Sequence, residues 1–162
     1  MAVNIHIKID SIPGMSQIDG FADQIQVESF GWGMSQTTNF QTSQGGGAGK
    51  VNVNDMSFVH LVDKASPKLM LACCTGQQLK EALLTCRKVD GKEGVDFLKI
   101  TLTDVLVSNV QLSGKNSGDT PSESVALAFG SYKVEYQEQD NKGAKKGGPI
   151  DAKFSVQQNK QL

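Results

Sequence analysis

The strongest hint of chemistry in this chain is the glycine-rich run GGGAGK at residues 45–50. Backbone amides of such a run, together with its lysine, can hold the phosphates of a nucleotide where the run opens a helix. Here Gln44 stands where the first glycine belongs, and Val51 stands where a hydroxyl would bind magnesium. The residues that follow alternate as in a strand. We therefore interpret the run as a flexible loop and predict no cofactor site.

Histidines and cysteines are the other candidates for chemistry, as metal ligands or as nucleophile and base. They are His6, His60, Cys73, Cys74 and Cys86. No CxxC, HExxH or comparable ligand spacing occurs among them, so the sequence predicts no metal site. A cysteine inside a largely apolar helix is usually inert, and core packing is the better interpretation of the first two cysteines. We predict no catalytic residue.

Composition excludes several classes of partner. The 162 residues fit one domain, and we expect residues 1–162 to form it without an appended second domain. Sixteen basic and 17 acidic side chains leave a net charge of −1, which offers no attraction for nucleic acid or an anionic membrane. Three cysteines, two of them adjacent, suit a reducing cytoplasm. The alternating N-terminus is no signal peptide, and no segment approaches the roughly 20 apolar residues of a membrane helix.

Alternating patterns predict that the chain is mainly β. Residues 2–9 indicate a half-buried strand closed by the Pro13-Gly14 turn, and residues 24–34 indicate a strand that bends near Ser29. A polar, glycine-rich stretch at about residues 33–50 is predicted as a long extended loop, either a hairpin or a mobile segment. A loop of this length is usually there to contact something.

One helix is predicted at about residues 66–76. Ser66 is a favoured N-cap residue, Pro67 suits the first helical position, and Gly76 suits the position just beyond the end. Leu69, Ala72 and Cys73 form one apolar face, which Met70, Leu71 and Cys74 widen. We expect most of this helix to be covered.

The second half of the chain carries the longest periodic run. Apolar residues of one parity run from Leu98 to Leu112, and Val105 and Val107 lie on the other parity, so we expect cover on part of the second face as well. A change of parity in the next strand predicts a bulge at Gly130. About seven strands and one helix favour a compact β-barrel or sandwich of two antiparallel sheets.

Several segments, in this order, resemble one protein family over essentially the whole chain. They are MAVNIHIKID, ESFGWGMSQ, GGGAGKVNVNDMSF, DKASPKLMLACCTG, FLKITLTDVLVSNV, SESVALAFGSYKVEYQEQD, GAKKGGP and FSVQQNKQ. They are similar to the haemolysin-coregulated protein (Hcp) family of bacterial type VI secretion. The resemblance implies a compact β-barrel with one helix that assembles into stacked hexameric rings, related to the tail tubes of contractile phages.

The same resemblance implies a function in protein transport and virulence. A contracting sheath on a baseplate would expel the tube, tipped by a VgrG-type spike, from the bacterial cytoplasm to the outside without a signal peptide. The ring lumen would carry small effector proteins, and the work would be mechanical and not enzymatic. The long loop would help adjacent rings meet. The resemblance places the stacking role on this loop as a whole segment. The ring-stacking residues that it implies are Gln36, Thr37, Thr38, Asn39, Phe40, Gln41, Gly45, Gly46, Gly47 and Lys50.

Two alternatives stay open on the sequence. The first is a monomeric β-sandwich that binds a ligand through its glycine-rich loop. The second is an enzyme, such as a hydrolase that uses Cys73 or a surface serine. Deleting residues 41–48 would distinguish the tube from the binding module. A tube would keep its rings and stack less, whereas a binding module would lose its ligand with no change in assembly.

Overall fold

The structure is a computed structural model that describes residues 2–40, 47–90 and 93–162. These ranges contain one helix, α1 (Ser66–Thr75), which lies between the sixth and seventh of eleven strands. In chain order the strands are β1 (Ala2–Ile9), β2 (Ile25–Gln26), β3 (Ser29–Gly31), β4 (Met34–Asn39), β5 (Gly47–Val53), β6 (Met56–Leu61), β7 (Leu79–Asp90), β8 (Glu93–Ser113), β9 (Ser122–Tyr136), β10 (Ile150–Ser155) and β11 (Lys160–Gln161).

Nine of the strands form one antiparallel sheet that folds over on itself. Its main path runs β11-β10-β9-β8-β7-β1-β2, and β6 joins β9 while β3 joins β6. The short segment between β2 and β3 connects distant edges, because the Val27 N–H donates to the Ile5 carbonyl of β1 and the Glu28 N–H donates to the Val59 carbonyl of β6. The result is sandwich-like. The prediction of a mainly β, antiparallel fold with one helix is confirmed.

The core lies between the layers of this folded sheet. Alternate residues of the central strands point into it, as the period of two requires. Its largest fully buried apolar side chains are Phe58, Ile7, Ile25, Met56, Leu69, Leu84, Leu102, Leu127 and Val105. Leu69 and Ala72 bring α1 into the same core, and the helix packs against β8.

The long strand β8 changes its buried face part-way along its length. The sequence pattern instead predicted cover on part of its second face. Ile100 and Leu102 are buried, and then Val105 and Val107 are buried while Leu106 is exposed. The change occurs at Asp104, whose φ of 57° turns the chain. A bulge follows between Val107 and Asn109. Cover on both faces of this strand is therefore not needed to explain the pattern.

The predicted bulge at Gly130 is wrong. The register between β8 and β9 is continuous across this residue, with Thr103 opposite Ser131 and Val105 opposite Phe129. The other edge of β9 changes partner there, from β6 before Gly130 to β10 after it. A change of neighbours, and not an extra residue, explains the change of pattern in β9.

The start of α1 also differs from the prediction. Its N-cap is Ala65, and Ser66 is the first helical residue, so Ser66 is not the cap. Among the described residues no side chain caps the first turn, and Asp63 Oδ1 accepts the N–H of the N-cap residue Ala65 itself, at 2.8 Å. The end is as predicted, since Gly76 adopts the left-handed conformation. Leu71 stays 61% exposed, so the helix is covered on one side only. Within the described ranges, no helix has the length and apolarity needed to cross a membrane.

Candidate functional site

The predicted loop at about residues 33–50 is a hairpin that stands apart from the main sheet. Strands β4 and β5 pair only with each other among the described residues and form a separate two-stranded sheet. Met34 pairs with Val53 at its root, and Asn39 pairs with Gly47 near its tip. The hairpin form of the prediction is therefore the correct one. Both outer edges leave backbone groups free for another chain.

The structure brings most of the predicted stacking residues onto this hairpin. Gln36, Thr37, Thr38 and Asn39 lie in β4, Gly47 and Lys50 lie in β5, and Phe40 directly follows β4. Gln41, Gly45 and Gly46 lie outside the described residues. Phe40 is 77% exposed, the largest exposed fraction given for a large apolar side chain in the described part of the chain. Lys50 is the sole charged residue in β4 and β5.

A bulge in β5 shapes the middle of the hairpin. Gln36 pairs with Val51 and Thr38 pairs with Ala48, so Gly49 and Lys50 together lie opposite Thr37. Such a bulge bends the ribbon and increases its twist. A Cβ added to Gly49 would lie 3.1 Å from the Thr37 Cβ, so the close approach of the two strands favours glycine here.

An aromatic cluster holds the root of the hairpin against the main sheet. The Trp32 indole N–H donates to the Asn54 carbonyl at 2.9 Å, and the Asn54 N–H donates to the Gly33 carbonyl at 3.0 Å. The Trp32 ring meets Tyr132 edge-on at 4.8 Å between centroids and Phe129 at 5.7 Å. Edge-to-face pairs of this kind add about 0.5–1.5 kcal/mol beyond the area they bury.

This cluster settles the role of Trp32, which the sequence left open between core and contact surface. The tryptophan is half-buried and braces the hairpin. Sequence reasoning could not find its partners, because Tyr132 and Phe129 lie in β9, about a hundred residues away along the chain. A cleft beside the brace is lined by Met34, Val51, Val53, Tyr132 and Phe154 among others. The hairpin root thus presents apolar surface as well.

His60 is buried in a polar cluster that the sequence did not reveal. His60 and Glu123 are both 0% exposed and lie directly opposite each other on β6 and β9, with 2.8 Å between His60 Nε2 and Glu123 Oε1. Asp63 Oδ2 lies 3.7 Å from His60 Nδ1. One signal could have found the pair: Glu123 shares the parity of the buried Val125 and Leu127. The pair ties two strands together and is closed to substrate.

His6 is the partner of a serine, in the geometry of a base beside a hydroxyl nucleophile. Its Nε2 lies 3.1 Å from Ser16 Oγ, but both residues are buried and the Phe21 ring stacks on the imidazole at 4.3 Å. No acceptor orients His6 Nδ1 among the described residues. Burial lowers the pKa of His6, and the nearby Arg87 charge lowers it further. The arrangement is packed and not open to a substrate.

The cysteines have three different environments. Cys86 is buried, and burial raises its pKa to about 11, so its thiol stays protonated at neutral pH. Cys73 is half-buried and Cys74 is exposed. Among the residues that the structure describes, no group of three or more His, Cys, Asp or Glu side chains is arranged to hold a metal ion.

Comparison with known proteins connects this fold to a secretion system. Residues 6–136 match the family model described as "Type VI secretion system effector, Hcp". The chain belongs to the Hcp family. Protein hcp1 of Pseudomonas aeruginosa is 44% identical over 161 residues, which cover 99% of each chain.

Solved structures agree with the Hcp assignment over the full length. A structure of a type six secretion system protein superposes with a TM-score of 0.92 at 30% identity, covering 99% of this chain and 100% of the other. Hcp1 from Salmonella typhimurium gives a TM-score of 0.79 at 33% identity and covers 100% of both chains. The Hcp resemblance seen in the sequence motifs is confirmed.

Proposed function

We propose that this Hcp protein is the structural subunit of a type VI secretion inner tube. Its copies would form hexameric rings, and the rings would stack into a tube that a contracting sheath expels from the cell. The observation that carries the proposal is the β4–β5 hairpin, which leaves the main sheet and exposes Phe40. Full-length agreement with Hcp1 of Salmonella typhimurium supports it.

The physical argument for stacking rests on the low stability of an isolated hairpin and on its exposed apolar side chain. A two-stranded hairpin is at best marginally stable alone in water, so a second surface that packs on it stabilises both. Burying a Phe side chain contributes about 1.5–3 kcal/mol, and a ring would repeat that contact in each subunit. With Lys50 as the one charged residue of β4 and β5, copies of the hairpin surface repel each other little. Head-to-tail contacts with the right rotation close into rings.

The remaining parts of the proposal follow from Hcp family membership. A VgrG-type spike would tip the tube, a baseplate and sheath would launch it, and small effector proteins would travel in the ring lumen. The subunit would wait in the bacterial cytoplasm and leave through the apparatus. Its role would be mechanical. The buried state of the His6 and Ser16 pair is in keeping with a protein that is not an enzyme.

Light scattering and negative-stain images of the purified protein test the assembly. We expect a species of six subunits with ring-shaped particles, and stacks of rings at high concentration. A strictly monomeric species at high concentration would overturn the proposal and favour a binding module.

A single substitution in the hairpin tests the stacking contact. We expect Phe40→Ser to keep the hexamer and reduce the proportion of stacked rings, since it removes the exposed ring and leaves the subunit core untouched. Leu71→Ser is the matched control, because it removes an apolar side chain that is 61% exposed on α1. Equal stacking by wild type and Phe40→Ser, counted in images at one protein concentration, would exclude Phe40 from the contact.

A further inference from the structure

A compact loop covers one face of β1. The loop spans residues 14–24 and is closed by its own backbone bonds: the Gly14 N–H donates to the Asp23 carbonyl, and the Ser16 N–H donates to the Gln24 carbonyl. Two further bonds shape its interior, from the Phe21 N–H to the Ile18 carbonyl and from the Asp23 N–H to the Ser16 carbonyl. These four bonds join residues of the loop to one another, so the protection of their amides reports whether the loop keeps this closed form. We call it the covering loop.

His6 is the point on β1 where the covering loop is held. Its Nε2 lies 3.1 Å from Ser16 Oγ, and its ring stacks on Phe21 at 4.3 Å with 8° between the planes. Both loop residues are buried by this contact. The Arg87 guanidinium of β7 lies over the same Phe21 ring at 4.3 Å and donates to the Asp19 carbonyl. Aromatic and polar contacts therefore meet at one imidazole.

The surroundings favour a neutral imidazole at this position. A doubly protonated ring carries two N–H donors, and His6 Nδ1 has no acceptor among the described residues. A buried donor without a partner is costly, and a buried charge more so. Arg87 places a positive charge close by, and its own partner is Asp96 at 2.6 Å.

Among the described residues, no carboxylate lies within 4.0 Å of a His6 ring nitrogen, although Glu28 and Asp63 line the cleft beside Ser16. On β7, Thr85 lies opposite His6 and Arg87 two residues further; on β2, Gln26 lies opposite. On the same face of β1 the next charged residue is Lys8, which is exposed, and the loop carboxylates of Asp19 and Asp23 are exposed as well. The nearby charge that acts on His6 is that of Arg87, and it opposes a proton on the imidazole.

We propose that His6 and the covering loop form an acid-sensitive strap, in which a proton taken up by His6 releases residues 14–24 from β1. The closed loop needs the neutral ring, whereas an open loop exposes His6 to water, where the charged ring is well solvated. The rest of the sheet stays folded, because β1 keeps its full ladder with β7. The strap does not depend on ring formation.

The sign of the effect follows from the pKa of His6, which burial lowers from its ordinary 6.5. The open state binds the proton more readily than the closed state. Closure is therefore fully favoured above pH 6.5 and weakens as the pH falls below it. Each unit of pH below that point should weaken closure by about tenfold, until the closed state also takes up the proton.

Amide hydrogen exchange of the purified full-length protein between pH 8 and pH 5 tests the strap. We expect protection factors, corrected for the intrinsic pH dependence of exchange, to fall by about tenfold per pH unit below 6.5 at Ser16, Phe21 and Asp23. The Val62 amide, which donates to the Pro121 carbonyl, reports the sheet and should keep its protection. Constant protection at the three loop amides would overturn the proposal.

Two variants separate His6 from other titrating groups. His6→Phe keeps an aromatic ring against Phe21 and cannot take up a proton, so its loop protection should be independent of pH. Lys8→Gln removes a charge from the same face of β1 and should leave the fall in loop protection below pH 6.5 unchanged. If His6→Phe loses protection with pH as wild type does, the proposal is wrong. NMR titration of the wild-type ring needs no variant, and a His6 midpoint at or above 6.5 would also overturn the proposal.

Discussion

The nine-stranded sheet and the β4–β5 hairpin are built from the same antiparallel pairing and differ in what lies on their faces. Central strands of the sheet bury one face completely, with Leu84, Leu102 and Leu127 at 0% exposure. In the hairpin, Gln36, Thr38 and Lys50 are exposed. The sheet is stable because of its own core, whereas the hairpin relies on its root. This difference is why we propose that the surface that packs on the hairpin belongs to another subunit.

The nine-stranded sheet and the hairpin also differ in their polar contacts. The sheet buries the histidine and glutamate pair of His60 and Glu123, and the hairpin root uses one exposed hydrogen bond from Trp32. Substitutions in the sheet should therefore change global unfolding, and substitutions in the hairpin should change local opening and assembly. The predictions below test this contrast at three positions.

The largest effect is expected from Glu123→Leu. It leaves His60 with no partner within hydrogen-bond distance in the core, and breaking a buried pair in this way costs about 3–5 kcal/mol. The free energy of unfolding, measured in urea at one fixed protein concentration, should fall by that amount. The hairpin root is held by Asn54, Phe129 and Tyr132 and not by this pair, so its contacts should survive in whatever fraction remains folded.

The double variant His60→Leu with Glu123→Leu is the control. Replacing both members of a buried pair by apolar residues is often close to neutral, so it should recover most of the lost stability. If the single variant unfolds like wild type, the pair does not hold β6 to β9. If the double variant is as unstable as the single one, packing and not the unpaired histidine causes the loss.

A smaller effect is expected from Trp32→Phe at the root of the hairpin. The aromatic contacts with β9 remain, but the Asn54 carbonyl loses its donor, which costs about 0.5–1 kcal/mol at a position open to water. Circular dichroism in urea should show a small fall in stability. Amide protection in β4 and β5 should fall more than protection in β8. Equal loss of amide protection in the hairpin and in β8 would contradict the view that the two regions are stabilised separately.

The smallest effect is expected from Gly49→Ala. The added Cβ would lie 3.1 Å from the Thr37 Cβ, so the bulge must open by a few tenths of an ångström. Stability should change by less than about 0.5 kcal/mol, as for most surface substitutions. Stacking of rings, counted in images, should nevertheless fall because the hairpin changes its bend. Gly148→Ala is the matched control, since nothing lies within 4 Å of its added Cβ.

Local patterns predicted those parts whose neighbours are close in sequence. The alternation of residues 2–9 matches β1, and Gly76 marks the end of α1, because both signals act over a few residues. The prediction of Ser66 as N-cap was wrong because Ala65 is the N-cap and Ser66 is already helical, with its hydroxyl accepting the Asp63 N–H. The bulge predicted at Gly130 was wrong because β9 changes partner there, which a single strand's sequence does not show.

Part of the candidate site could likewise be predicted from local sequence, and part could not. The polar, glycine-rich composition of residues 33–50 was enough to predict a long extended loop, and Phe40 was within it. Asn54 and Tyr132, which hold its root through Trp32, could not be predicted, because hydrogen bonds and ring contacts across strands depend on register. Residues 41–46 lie outside the described ranges, and their part in stacking stays a prediction.

By itself the sequence determined the mainly antiparallel β class, the single helix, the long extended loop and membership of the Hcp family, since alternation, turn residues and motif order are local properties of the chain. Tertiary structure alone decided that Glu123 meets His60, that Ser16 and Phe21 cover His6, and that Trp32 braces the hairpin. The physical reason is that each of these contacts joins residues at least ten positions apart in sequence, and only the folded sheet brings them within bonding distance.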